Sequence, residues 1–295
     1  MPEFEWQFTL VLLTNGIMIG LMYALIALGF VLIYKATDAI NFAQGEFVMF
    51  AGFLAAGAAE IAGAPFWVSA LIAVAGMIAM GFGLERVVLR PLIGRPVIAV
   101  VMATIGLAAV LRGTATMAFG AGTRAIVMPV SDEPFELGPI MLPPVQLVGA
   151  GVSLVFLAAF TWFFLKSRVG IAMRAVAADD RTALLMGISA TRVHSIAWAA
   201  SSVIAGIAGV FFALSYDLSP AMFQLGLKAF PATILGGLDA VLGSGLGGLL
   251  IGITENLAGG YLGSGMKEVA GFAMIIVVLM IRPFGIFGER DIERV

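Results

Sequence analysis

WQFTLVLLTNGIMIGLMYALIALGFVLIY, Trp6 to Tyr34, carries no charged side chain from end to end. A helix needs about 20 mostly apolar residues to cross the hydrocarbon core of a bilayer, so this stretch reads as a transmembrane span with residues to spare. Three more uncharged runs are long enough, namely Ile61 to Leu84, Leu137 to Leu165 and Val193 to Tyr216. Barrel strands alternate polar and apolar residues over about 10 positions; these runs do not, so the spans are helices. Composition agrees, with 61% hydrophobic and 12% charged residues against roughly 25% charged in soluble domains. No basic residue precedes Trp6, and the apolar run is too long for a signal-peptide core, so the first span is expected to stay in the mature chain.

A fourth clear span runs from Pro96 to about Gly120, with Arg112 inside it. From Ala39 to Ala59 the apolar pattern is broken by Glu46, which reads as a span with one buried carboxylate; a re-entrant element is the alternative. Between Leu218 and Ile281, Lys228, Asp239, Glu255, Lys267 and Glu268 divide the pattern, and 11 of the 30 residues from Gly236 to Gly265 are glycine. Short hydrophobic segments interrupted by glycine line cavities in transporters. The expected fold is all-α, a polytopic membrane protein forming a single transmembrane domain over 1–295. It should hold about seven to nine transmembrane helices with a Gly-rich broken or re-entrant segment.

Orientation follows from the basic residues near helix ends. With the N-terminus outside and successive spans alternating, the inner side holds Lys35, Arg86, Arg90, Arg95, Lys166, Arg168, Arg174, Arg181, Arg192, Arg282, Arg290 and Arg294, 12 of the 16 basic residues. The C-terminus is then cytoplasmic, 120–144 is an outer loop, and 166–193 is a cytoplasmic loop. Parity requires 218–266 to cross an even number of times or to dip in and return. In the cytoplasmic loop Asp179 or Asp180 can N-cap a short helix whose first turn holds Arg181 and Thr182, and Gly187 sits where a left-handed C-terminal cap belongs. A helix capped at both ends reads as a docking element for something outside the membrane.

With no cysteine and one histidine, the chain has no disulfide, no thiol nucleophile and no set of ligands for a metal. Gly243-Ser-Gly-Leu-Gly-Gly248 fits the letters of a dinucleotide fingerprint but has no strand before it, and no phosphate loop is present. The expectation is a non-enzyme that binds no cofactor of its own. What remains is polar residues inside apolar segments. Ile40-Asn-Phe-Ala-Gln-Gly-Glu46 gathers Asn41, Gln44 and Glu46; Glu255 and Asn256 form a second pair, and Asn15 a weaker third. A carboxylate within the membrane is costly and marks function, unless headgroups wet it or a neighbouring helix bonds it as a neutral structural group. Arg112 either snorkels or pairs with a carboxylate, and His194 reads as interfacial. Gly16/Gly20, Gly243/Gly247, Gly248/Gly252 and Gly259/Gly263 have the spacing that lets helix backbones approach, while the glycine density over Gly236 to Gly252 points to a mobile or broken helix. There is also an internal echo. Ala27 to Tyr34 followed by Phe42-Ala-Gln-Gly45 resembles Ile207 to Leu214 followed by Phe223-Gln-Leu-Gly226.

Five blocks carry a family resemblance: Gly20 to Tyr34, Ile40 to Phe47, Gly170 to Ile188, Ala229-Phe-Pro-Ala-Thr-Ile-Leu-Gly-Gly237 and Arg282-Pro-Phe-Gly-Ile-Phe-Gly288. In order and spacing they resemble the permease subunits of bacterial high-affinity branched-chain amino acid ABC transporters. The resemblance implies an inner-membrane, multi-pass subunit of an importer for leucine, isoleucine and valine. Its implied partners are a second related permease forming a heterodimer, two cytoplasmic ATPase subunits that use the ATP, and a periplasmic substrate-binding protein. It implies that Arg174, Ala178, Asp179, Asp180, Met186 and Gly187 couple to the ATPase. Asn41, Gln44, Glu46, Phe42, Glu255 and Asn256 are the expected pathway or gate, the two groups approaching each other or the facing permease across a central cavity, with Phe42 and Phe47 supplying apolar surface. Asp38 and Pro231 depart from the pattern, standing where glycine or another small residue is expected. Permeases for urea and short amides share these blocks, and the short N-terminus speaks against the urea branch. An ion-coupled secondary transporter would also use Glu46, Glu255 and a Gly-broken helix, but it has no need of a capped, Arg-rich helix in mid-chain.

Overall fold

The structure, a computed structural model, describes residues 2–130, 133–138, 140–216 and 218–288. Eleven helices follow one another among them: α1 (Pro2–Thr37), α2 (Gln44–Ala62), α3 (Phe66–Leu84), α4 (Val97–Phe119), α5 (Pro144–Lys166), α6 (Arg168–Ala178), α7 (Asp180–Leu185), α8 (Ala190–Ser215), α9 (Gln224–Gly236), α10 (Val241–Leu262) and α11 (Met266–Ile281). Seven of them, α1 to α5, α8 and α10, are long and apolar enough to cross a membrane. α9, with 13 residues, and α11, with 16, are shorter. The expected all-α, polytopic fold is therefore the observed one. The only strands among the described residues are β1 (Phe135–Leu137) and β2 (Ile140–Leu142), a small antiparallel hairpin within 120–144.

α1 is the axis, packed against α5, α8, α9 and α10. Its glycines explain how α10 comes so close. A Cβ added at Gly252 would lie 2.4 Å from the Gly20 Cα, and one at Gly248 would lie 2.4 Å from the Ala24 nitrogen. Lipid chains are as apolar as leucine, so helices associate here through close backbone packing, which only small residues permit. The glycine-rich stretch from Val241 onward is an unbroken helix, and the chain breaks just before it, between Gly237 (φ +108°) and Ala240. α3, α4 and α5 lie outside and turn apolar residues such as Leu71, Val110 and Trp162 outward.

One end of the bundle is basic. There α1 stops, Lys35 donates to the Asp239 carbonyl at 2.7 Å, and the turn after α3 is tied by Arg90 to Glu85 (2.9 Å) and Ser195 (3.0 Å). Asp38, Arg95, Asp179 and His194 line one cavity of about 410 Å³ at this end, so the 85–95 turn and the α6–α7 segment share it. The 282–288 segment docks on the end of α9, with the Ile286 and Phe287 N–H groups donating to the carbonyls of Leu235 and Gly236. Arg290 and Arg294 lie outside the described residues. The opposite end carries the Arg124–Glu60 ion pair and the Thr9–Tyr261 hydroxyl contact.

Two helices begin in mid-bundle. After Thr37 the chain turns at Asp38, whose φ of +51° is the only positive value at a non-glycine residue among those described; Asp tolerates that conformation better than most side chains. It then runs back, so that Gln44 packs against Gly29, eight residues and about 12 Å up α1 from Thr37. α9 starts at the same depth after a 3-10 turn over Pro220–Phe223. A Cβ on Gly226 would sit 2.3 Å from the Gly45 Cα, and one on Gly45 would sit 2.2 Å from the Phe223 carbonyl oxygen. The two segments of the internal echo thus meet at their glycines. From that crossing α2 runs away from the basic end and α9 runs toward it, as in inverted repeats.

Candidate functional site

The crossing creates the site. A Cβ-free contact at Gly45 and Gly226 places the starts of α2 and α9 side by side, and a cavity of about 300 Å³ opens between them, α1 and α4. Its wall is aromatic: Phe30, Phe42, Phe223 and Phe230, with ring centroids 5.7 Å apart for Phe30 and Phe230 and 6.0 Å for Phe42 and Phe230. One charge pair interrupts it. Arg112 of α4 donates to Glu46 at 2.5 Å, and its guanidinium lies 3.4 Å from the centre of the Phe223 ring. Glu46 is almost fully buried, whereas two-fifths of the Arg112 side chain is exposed. Arginine keeps its charge in proteins, so Glu46 is what neutralises it at this depth. The Arg112 Nε has no acceptor among the described residues, so the guanidinium retains donor capacity.

Asn41 and Gln44 stand behind the wall and do not line it. Both are fully buried. Asn41 Nδ2 donates to Gln44 Oε1 at 3.2 Å, Asn41 Oδ1 accepts from the Ala43 N–H at 3.0 Å, and the Ser201 hydroxyl lies 3.0 Å from both the Gly29 carbonyl oxygen and Gln44 Oε1. Non-helical backbone inside a membrane needs its polar groups satisfied by protein. This network does so for the 38–43 segment, helped by Thr104, whose hydroxyl accepts from the Phe42 N–H at 3.3 Å. Phe47 packs edge-on against Trp198 in the core, away from the cavity.

Glu255 and Asn256 face a second cavity, of about 330 Å³, together with Tyr23, Lys228 and Lys267. The Tyr23 hydroxyl donates to Glu255 at 3.1 Å, and Asn256 bonds back to the Gly252 carbonyl at 2.9 Å. α9 separates the two cavities, turning Gly226, Leu227 and Phe230 to the first, beside Phe223 of the 3-10 turn, and Gln224, Leu225 and Lys228 to the second. The structure therefore does not bring the two expected groups together. Of the residues that line the aromatic cavity, the sequence reading missed Phe30, Phe223 and Phe230.

At the basic end the helices of the 166–193 segment start on side-chain caps, and α7 is also closed at its end. The Ser167 hydroxyl accepts from the Gly170 N–H at 2.9 Å, and Asp179 accepts from the Thr182 N–H at 3.2 Å and from its hydroxyl at 2.6 Å. Gly187, at φ +83°, ends α7, with Gly187 N–H bonded to the Leu184 carbonyl and Ile188 N–H to that of Ala183, both 2.9 Å; this paired arrangement is the Schellman motif. Arg174 donates to the carbonyls of Phe164 and Leu165 and ties α6 onto the end of α5. Ala178, the last residue of α6, joins Asp179 at the corner. Asp180 opens α7, and its side chain and that of Arg181 lie outside the described residues. The tip presents Leu184, Leu185 and Met186, which are 63%, 87% and 78% exposed. Of these the sequence reading named Met186 alone, although three consecutive apolar residues inside a polar loop were the available signal.

Proteins of one known family match this chain over nearly its full length. The profile of the family described as "Branched-chain amino acid transport system / permease component" matches residues 12–281. The high-affinity branched-chain amino acid transport system permease protein LivH of Salmonella typhimurium is 32% identical, over 95% of this chain and 96% of its own length. LivH of Escherichia coli strain K12 is 31% identical over 95% and 96%, and BraD of Pseudomonas aeruginosa, a permease protein of the same description, is 30% identical over 96% and 97%.

Proposed function

The chain belongs to the family of branched-chain amino acid transport permeases, and from that premise we propose how its geometry serves translocation. It is the multi-pass transmembrane permease of an ABC importer for branched-chain amino acids, set in the inner membrane with its basic end cytoplasmic, in line with the excess of Lys and Arg there. The whole chain is one transmembrane domain, with 166–193 as the coupling segment and 120–144 as the outer loop. The observation that carries the reading is the aromatic cavity at mid-depth. A branched-chain amino acid has an apolar side chain and a zwitterionic head, and the wall offers four phenylalanines and one charge pair that is already neutralised. Such a wall passes the ligand without holding it, which suits a pathway, because tight binding slows release. Phe42, Glu46, Arg112 and Phe230 are the pathway residues, Asn41 and Gln44 their scaffold. Glu255 and Asn256 serve the separate outer cavity, on the side where a periplasmic binding protein delivers substrate. The second, related permease completes the path opposite the cavity.

Two cytoplasmic ATPases supply the energy through α7, whose exposed Leu184-Leu185-Met186 tip is an apolar plug on a rigid, capped stem. A valine at position 187 would have to adopt a left-handed backbone at a cost of about 1 kcal/mol or more. In the purified complex Gly187→Val and Leu185→Glu should therefore reduce both substrate-stimulated ATP hydrolysis and leucine uptake into proteoliposomes. Wild-type rates in complexes that remain fully assembled would reject the coupling role. The permease alone, given a proton or sodium gradient, should accumulate no leucine, isoleucine or valine; gradient-driven uptake would establish an ion-coupled transporter instead.

A further inference from the structure

On the opposite side of α1 from the aromatic cavity, a groove of about 500 Å³ runs between α5 and α10. Leu21 of α1 forms its floor, Leu154 and Leu157 of α5 one wall, and Leu242 and Leu246 of α10 the other. Leu21 and Phe30 are nine residues apart, and at about 100° per residue they point to opposite sides of the helix. If the second permease closes the pathway on the Phe30 side, as proposed above, the groove is turned to lipid.

The groove has an apolar trough and a charged stop. Lys166, the last residue of α5, and the largely exposed Trp162 lie at its basic end. Tryptophan and lysine at such a position mark the headgroup layer. Lys166 forms no ion pair among the described residues. It is not needed at its own helix end either, since Arg174 serves the carbonyls of Phe164 and Leu165. The trough is open at its middle, where a Cβ added at Gly245 would meet nothing within 4 Å.

We propose that this groove is a binding site for one anionic phospholipid of the leaflet at the basic end, with an acyl chain in the trough and the phosphate on Lys166. The lipid fills the space that α5 and α10 leave between them and steadies α5, the helix that carries α6.

The test is native mass spectrometry of the purified permease–ATPase complex, delipidated and then titrated with phosphatidylglycerol or phosphatidylcholine. The wild type should retain phosphatidylglycerol preferentially. Lys166→Gln should cut that preference about fivefold, while Arg86→Gln, in the helical turn after α3 at the same end, should not. Gly245→Leu should lower retention of both lipids by filling the trough. An unchanged preference in Lys166→Gln, or an unchanged lipid count in a Gly245→Leu complex that unfolds at the wild-type temperature, would overturn the assignment. So would a disulfide between Leu246→Cys and the second permease, because protein would then cover the groove. Leucine uptake by the same wild-type preparation tests the transport reading separately.

Discussion

Gly226→Val should abolish transport and sharply lower recovery of assembled complex. The new side chain would start 2.3 Å from the Gly45 Cα and 2.6 Å from its nitrogen. Both are backbone atoms at the start of a buried helix and cannot rotate out of the way. Overpacking a tight core costs 1–3 kcal/mol and at times more; with two backbones forced apart, about 3 kcal/mol is the expected loss. Gly245→Ala is the control, since it adds a methyl in mid-helix where space is open and should be neutral or stabilising by up to about 1 kcal/mol. The measurement is thermal unfolding of the purified complex with leucine uptake alongside. Equal stability of the two variants would mean that the α2–α9 crossing is not tight.

Glu46→Gln is expected to be nearly as damaging, for an electrostatic reason. It leaves the Arg112 charge without its carboxylate at mid-depth, where an unpaired charge costs about 3 kcal/mol. Arg112→Gln strands Glu46, the more deeply buried of the two. The double variant Glu46→Gln/Arg112→Gln removes both charges and should be more stable than either single variant, the sign of a strongly coupled pair. Additive losses in the three unfolding temperatures would show that the two side chains do not depend on each other.

How much of this was legible depended on whether the signal was local. Uncharged length alone marked α1, α3, α5 and α8, and the caps at Asp179 and Gly187 could be read because a capped helix is defined by residues a few positions apart. Depth was not legible. The apolar pattern from Ala39 to Ala59 is the same whether α2 begins at the membrane surface or 12 Å inside it, and the difference rests on Gly29, Ser201 and Thr104 in other helices. Glu46 and Arg112 each stood out as a charge in an apolar segment, yet their pairing joins residues 66 positions apart. Phe223 and Phe230 stood in the internal echo and in a family block, but nothing in the sequence marked them as cavity wall, because phenylalanine is ordinary in such a sequence and only the crossing of α2 with α9 turns them to one cavity. The glycine density after Gly236 pointed correctly to a break, which lies between Gly237 and Ala240, but it overstated its extent: from Val241 on, Gly248 and Gly252 bring α10 against α1 and Gly243 and Gly247 bring it against α9, and the helix is continuous.

The shortness of α9 bears on how the chain gets into a membrane at all. Thirteen residues with Lys228 and Pro231 among them are too few and too polar to partition into lipid as an independent segment during synthesis. α9 has to wait until α10 is in place and then be drawn in by its neighbours, so biogenesis should pass through a stage in which 218–240 is still exposed to the aqueous phase. A glycosylation-tag assay of nascent chains truncated after α9 should find that segment outside the bilayer, and chains extended past α10 should find it protected. Protection of the shorter chains would mean that α9 inserts unaided.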